Sequence, residues 1–169
     1  MSEMVTIDHK GNYYLNKKKV VPITGKSGGY RLVGFVEEYN VIFKADVPRN
    51  YNNFASQTRS EIELWRKHMS SHDKKYYFAN ILDYDTYIRN GRIYHWHIQE
   101  VLPIKKEKST NSVLKQLTKL LQKYRLQDIW GYKDDQVNWT IMNNAPVIYD
   151  WGVNDLFDCD IRAEYVGDM

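Results

Sequence analysis

VNWTIMNNAPVIYDWG, residues 137–152, packs two short apolar runs, a turn and two polar flanks into sixteen positions. Residues 139–142 and 145–149 are apolar and β-prone, and Asn143-Asn144 between them tolerates the positive φ of a hairpin turn. The pattern predicts a hairpin flanked by Asn138 and Asp150, which brings an amide oxygen and a carboxylate side by side at its open end. Hard oxygen donors so placed suit Mg²⁺, which takes few protein ligands and keeps phosphate and water for the rest. Gly152 permits a sharp exit. The plainer reading is an ordinary hairpin with solvated ends.

Composition limits what such a hairpin can belong to. A chain of 169 residues, 43% hydrophobic and 14% aromatic, can bury one respectable core or two small lobes. The net charge is +3, with 24 basic residues scattered among 21 acidic ones, so no strong field for a polyanion is implied and no nucleic-acid partner is expected. One cysteine, Cys159, excludes an intrachain disulfide and a cysteine-based zinc site. No apolar run is long enough for a membrane span and no signal peptide reads at the N-terminus, so a cytoplasmic protein is expected.

Before the hairpin, residues 113–124 carry apolar side chains at helical spacing, with candidate N-caps over 109–112 and a charged, Ser-containing linker over 104–112. Residues 76–84 and 92–101 read as strands joined at Asn90-Gly91, the clearest turn signal in the chain. Residues 56–70 read as one helix with Ile62, Trp65 and Met69 on a stripe. Glu61 shares the face of Trp65, whereas Glu63 is turned away by about 200°. Further back, residues 13–15, 20–24, 30–36 and 41–46 read as strands, the last two joined through Glu38-Tyr39-Asn40. Lys44 is a lone cation in the apolar strand VIFKAD. A buried ammonium needs a carboxylate or a phosphate, and an inward-pointing Glu61 is the candidate; a lysine snorkelling to water is the plainer reading.

Other constellations carry less. GKSGG, residues 25–29, lacks the first glycine of a Walker A loop, since Val20 stands there, but a glycine loop between strands still exposes N–H groups that can lie over phosphate. His68 and His72 lack the glutamate a zinc peptidase uses. His95 and His97 share a strand face, with no third metal ligand indicated, and read as packing.

In order, the parts are a glycine loop, a strand with Lys44, a helix with Glu61, two strands ending at residues 99–101, a helix, Asn138, a hairpin and Asp150-Trp151-Gly152. This order resembles the protein-kinase-like fold over residues 20–155. Asn138 is similar to the catalytic-loop asparagine, and Asp150-Trp151-Gly152 to the Asp-Phe-Gly motif with Trp for Phe. TRSEIELW, residues 58–65, and the NW before DWG resemble short kinase-like proteins of phages. The resemblance implies that Lys44 holds the phosphates of ATP with Glu61 as its helix partner. It also implies that Gly25 and Gly28 cover the phosphates, that the backbone at Glu100 and Val101 meets adenine at a hinge, and that Asn138 and Asp150 hold Mg²⁺.

Kinases of this type carry an aspartate five positions before the loop asparagine. Lys133 stands there, with Asp134 and Asp135 one and two positions nearer. Tyr132-Lys133-Asp134 is similar to a shortened His-Arg-Asp, and either Asp134 or Asp135 is the candidate base that orients an acceptor hydroxyl. The short tail after Gly152 implies a reduced C-terminal lobe, whose apolar helix and hairpin need cover from a second copy or a protein partner bound through the C-terminal third. The expectation is therefore an α+β, two-lobed minimal kinase-like fold. Residues 1–103 form an N-lobe of antiparallel sheet plus one helix, and residues 104–169 a reduced C-lobe. Two functions compete: an ATP- and Mg²⁺-dependent phosphotransferase to a hydroxyl acceptor, and a catalytically inactive pseudokinase or binding module, such as a phage-type inhibitor of a host protein.

Overall fold

The computed structural model describes residues 4–23, 31–48, 56–103, 109–126 and 138–151. The chain is an α+β protein built on antiparallel sheets. It divides into two compact units, Met1–Ile62 with Ile81–Val101, and Glu63–Asn80 with Leu102–Met169.

In the first unit, β1 (Val5–Ile7), β2 (Tyr13–Leu15) and β3 (Lys18–Lys19) form a small antiparallel sheet. A second sheet holds β4 (Val21–Pro22), β5 (Arg31–Val36), β6 (Val41–Asp46), β7 (Ile81–Arg89) and β8 (Arg92–Glu100) in the order β4-β5-β6-β8-β7. Asn90 and Gly91 make the β7–β8 turn at φ of 52° and 74°, the positive values that their residue types accept. At Gly34 the chain crosses itself closely: a Cβ there would stand 2.4 Å from Val20 Cγ1, so only glycine lets β4 lie against β5.

Strand alternation sorts the residues of this sheet onto two faces. Val36, Val41, Phe43, Ala45, Trp96 and Ile98 fall on one face and close a core with Tyr13, Leu15, Val20 and Tyr87. Phe43 stacks on Trp96 within it, ring centroids 6.0 Å apart. The opposite face carries Arg31, Lys44, His97 and Gln99, all buried. Helix α1 (Gln57–Glu63), N-capped by Ser56 Oγ accepting from the Arg59 N–H, brings Glu61 to that polar face.

The second unit opens differently from expectation. The single helix over 56–70 is instead α1 followed by a π-helical turn, Leu64–His68, which ends where Met69 turns extended. Ser70 then caps a new helix, α2 (Ser71–Tyr76), its Oγ accepting from the Asp73 N–H at 3.1 Å. Ser70 and Asp73 stand at capping-box spacing, a restart signal that outweighs the helical periodicity read across it. For the same reason the strand expected from residue 76 begins only at Ile81.

Helix α3 (Asn111–Lys123), capped by Thr110, buries Val113, Leu117, Leu120 and Leu121. It packs against the hairpin of β9 (Asn138–Met142) and β10 (Ala145–Asp150), whose turn is Asn143-Asn144 at φ of 52° and 60°. Residues 77–79 lie parallel beside β10, with Ala79 N–H donating to the Ile148 carbonyl and Ile148 N–H to that of Tyr77, both at 2.8 Å. Phe78 there sits edge-on between Tyr124 and Trp151. The apolar stripe of α3, expected to lie bare, is therefore buried apart from Leu114 among the described residues. No described helix is long and apolar enough to cross a membrane.

Candidate functional site

The buried polar face of the first unit is centred on Glu61. Three strands send side chains to its carboxylate: Arg31 from β5, Lys44 from β6 and His97 from β8. Val33 pairs with Lys44, and Lys44 with His97, so alternation places all three on one side of the sheet. Arg31 Nη1 donates to Glu61 Oε1 at 2.7 Å and Nη2 reaches Oε2 at 3.4 Å. His97 Nε2 lies 2.8 Å from Oε1, and Lys44 Nζ 3.6 Å from Oε2. Lys44 is 2% exposed and Glu61 and His97 fully buried.

Burial by itself would raise the Glu61 pKa, but the charges of Arg31 and Lys44 and the bond from His97 outweigh it and hold the carboxyl ionised, well below the ordinary range. Burial pushes His97 the other way, keeping its ring neutral against the pull of Glu61. A carboxylate only accepts, so His97 donates through an Nε2–H. Its Nδ1 is then bare, and it has no hydrogen-bond partner among the described residues.

In the second unit, Asn138 and Asp150 meet across the open end of the β9–β10 hairpin, Asn138 Nδ2 donating to Asp150 Oδ2 at 3.0 Å. A bulge makes this pairing. Ile148 opposes Trp139, then Tyr149 is the extra residue, and Asp150 rather than Tyr149 falls opposite Asn138. Trp151, fully buried against Phe78, anchors the strand just beyond. An amide and a carboxylate are hard donors that fit Mg²⁺ carrying phosphate and water. Among the described residues no cluster of three or more His, Cys, Asp or Glu is formed that would hold a metal alone.

Of the residues singled out by sequence, Lys44 and Glu61 come together in one unit, and Asn138 and Asp150 in the other. Glu63 turns to solvent-facing Arg66 and Lys67 instead. Glu100 ends β8 and Val101 follows it, exposed, at the last position of the first unit. Gly25, Gly28, Asp134 and Asp135 lie outside the described residues.

Arg31 is not among the residues that the sequence singles out, and His97 reads there as packing. Arg31 had a usable signal, a charge at the head of the apolar strand RLVGFV, in the same pattern that drew attention to Lys44. His97 had none, because its link to Glu61 depends on a helix 36 residues away. No protein-family model matches the chain and no curated protein is significantly similar to it, so the geometry of these residues carries the functional reading.

Proposed function

We propose that the chain is a kinase-like protein that binds ATP with Mg²⁺, with phosphoryl transfer to a hydroxyl acceptor as the activity this binding serves. The observation that carries the reading is the buried Lys44–Glu61 pair joining the central strand β6 to helix α1. Phosphoryl transfer asks a protein mainly for positioning and charge neutralisation. Lys44 supplies a buried cation beside its carboxylate partner. Asn138 and Asp150 supply oxygen ligands of the kind that Mg²⁺ accepts, and Mg²⁺ when bound neutralises phosphate charge. Asp134 or Asp135 is the base proposed for the acceptor hydroxyl.

Thermal unfolding with increasing ATP and Mg²⁺ tests this directly. Ligand at about 100 times its dissociation constant should add about 2.7 kcal/mol of stability. Asp150→Ala should remove the Mg²⁺ dependence of that gain while the protein still unfolds cooperatively. No change in melting temperature at millimolar nucleotide would overturn the reading.

A second reading, a pseudokinase that keeps the fold as a binding surface, is favoured by a different observation. Ile88 and Ile93, cross-strand neighbours beside the Asn90-Gly91 turn, are 73% and 64% exposed. This is apolar surface in the first unit, whereas the described helix and hairpin of the C-terminal third are mostly covered. Protein capture that Ile88→Ser with Ile93→Ser abolishes, in a chain indifferent to nucleotide, would establish this reading over the first.

A further inference from the structure

We infer that Arg31 is a standing counter-cation for Glu61, which keeps the buried carboxylate neutralised when Lys44 turns from it to an anionic ligand. The inference rests on the nucleotide reading and adds a positioning residue to it.

The three side chains do not share Glu61 equally. Among the contacts of these three, the shortest are Arg31 Nη1 at 2.7 Å and His97 Nε2 at 2.8 Å, both on Oε1. Arg31 also reaches Oε2, so its guanidinium spans both oxygens, while Lys44 stands 3.6 Å from Oε2 as the most distant of the three. A guanidinium is a rigid planar fork matched to a carboxylate, whereas a lysine is a point charge on a flexible stem. Of the two cations, Lys44 is therefore the one that can swing with least loss.

Charge decides the rest. A buried carboxylate stripped of its counter-charge is strongly destabilising, and a lysine that alone balanced Glu61 would be held to it. His97 is neutral here and gives Glu61 a hydrogen bond without a charge. Arg31 gives it both, from a side chain that is itself 5% exposed and shielded from solvent screening. With Arg31 in place, the pairing of Lys44 with a phosphate leaves the carboxylate balanced. Without Arg31, ligand and Glu61 compete for the same ammonium.

The test compares binding of ATP with Mg²⁺, and of adenosine, to the full wild-type chain, Arg31→Met, Arg31→Lys and the double variant Arg31→Met with Glu61→Gln. Arg31→Met should weaken ATP binding by about tenfold or more while adenosine, which has no phosphate, changes less than about twofold. Arg31→Lys should recover most of the loss. The double variant should bind ATP better than Arg31→Met alone, because removal of the carboxylate frees Lys44; a merely structural Arg31 gives no such rescue. The double variant leaves Lys44 buried without its carboxylate, so it is Arg31→Lys, which keeps the charge, that holds the test open if Arg31→Met fails to fold: ATP affinity near that of wild type supports the inference, and a loss equal for adenosine and ATP overturns it. Equal ATP affinity in Arg31→Met and wild type, equal loss for adenosine and ATP, or a double variant no better than the single one would overturn the inference alone. A wild-type chain that binds neither ATP nor adenosine would overturn the nucleotide reading, and this inference with it.

Discussion

Glu61 and Lys44 form one ion pair, yet the two residues should differ in what their loss does to stability. Glu61→Ala removes the carboxylate that two buried cations share and should destabilise the chain by about 3–5 kcal/mol. Lys44→Met leaves Glu61 with Arg31 and His97 and replaces an ammonium by an apolar side chain of similar length, so the cost should stay within about 1 kcal/mol. Urea unfolding of the two variants checks this, and equal losses would mean that Lys44 is the principal partner after all. The need of Lys44 for a partner was legible in its strand, and the inward face of Glu61 in its helix. The unequal sharing was not, because it depends on which of three strands reaches the carboxylate first.

At the scale of elements, β7 lies at the edge of the five-stranded sheet and has a device that guards it. In a hairpin with a two-residue turn, the pairs Arg89–Arg92, Tyr87–Tyr94 and Asp85–Trp96 exchange ladder bonds, which leaves the N–H groups of Tyr84 and Thr86 on the open side. Asp83 Oδ1 accepts the Tyr84 N–H and Asp85 Oδ1 the Thr86 N–H, each at 2.8 Å. These carboxylates occupy donors that a second strand would use, and they add negative charge to the edge. The double variant Asp83→Ala with Asp85→Ala should therefore self-associate with rising concentration where wild type does not, as followed by sedimentation velocity. Unchanged sedimentation would show that the edge is protected by other means. The hairpin itself was readable from Asn90-Gly91, but which strand ends a sheet is a property of the assembled order.

On the scale of the whole molecule, acid should act on the two units at different pH. His97 has its folded pKa lowered by burial, so the unfolded chain takes up a proton that the folded one refuses; its contribution is complete above about pH 6.5 and falls as the pH drops. Glu61 in the same unit is also depressed, so its contribution is complete above the ordinary carboxylate range and falls below it. In the second unit burial raises Asp73, but hydrogen bonds from Lys123 and Tyr124 prevail and hold it at about 2. Its stabilisation is present above about pH 4 and lost as the pH falls toward that lower value. Hydrogen exchange during acidification should show the amides of β6 and β8 losing protection before those of α2 and α3. His97→Gln, which retains a donor for Glu61, should remove the part of the loss that begins near pH 6.5. Simultaneous loss in both units would contradict this order.

Turn residues and short-range periodicity, which act within a few positions of chain, were enough for the α+β class, for the two hairpins at Asn90-Gly91 and Asn143-Asn144, and for placing Asn138 and Asp150 at the open end of one of them. The sequence also held the restart at Ser70, whose capping spacing competes with a helical pattern running through it. The convergence of Arg31 and His97 on Glu61, 30 and 36 residues away, comes from the assembled tertiary structure. That structure alone decided that α3 finds cover within the chain and that a bulge at Tyr149 aims Asp150. Register across strands sets which side chains share a face, and that register is fixed by packing of the assembled sheet rather than by any local window of sequence.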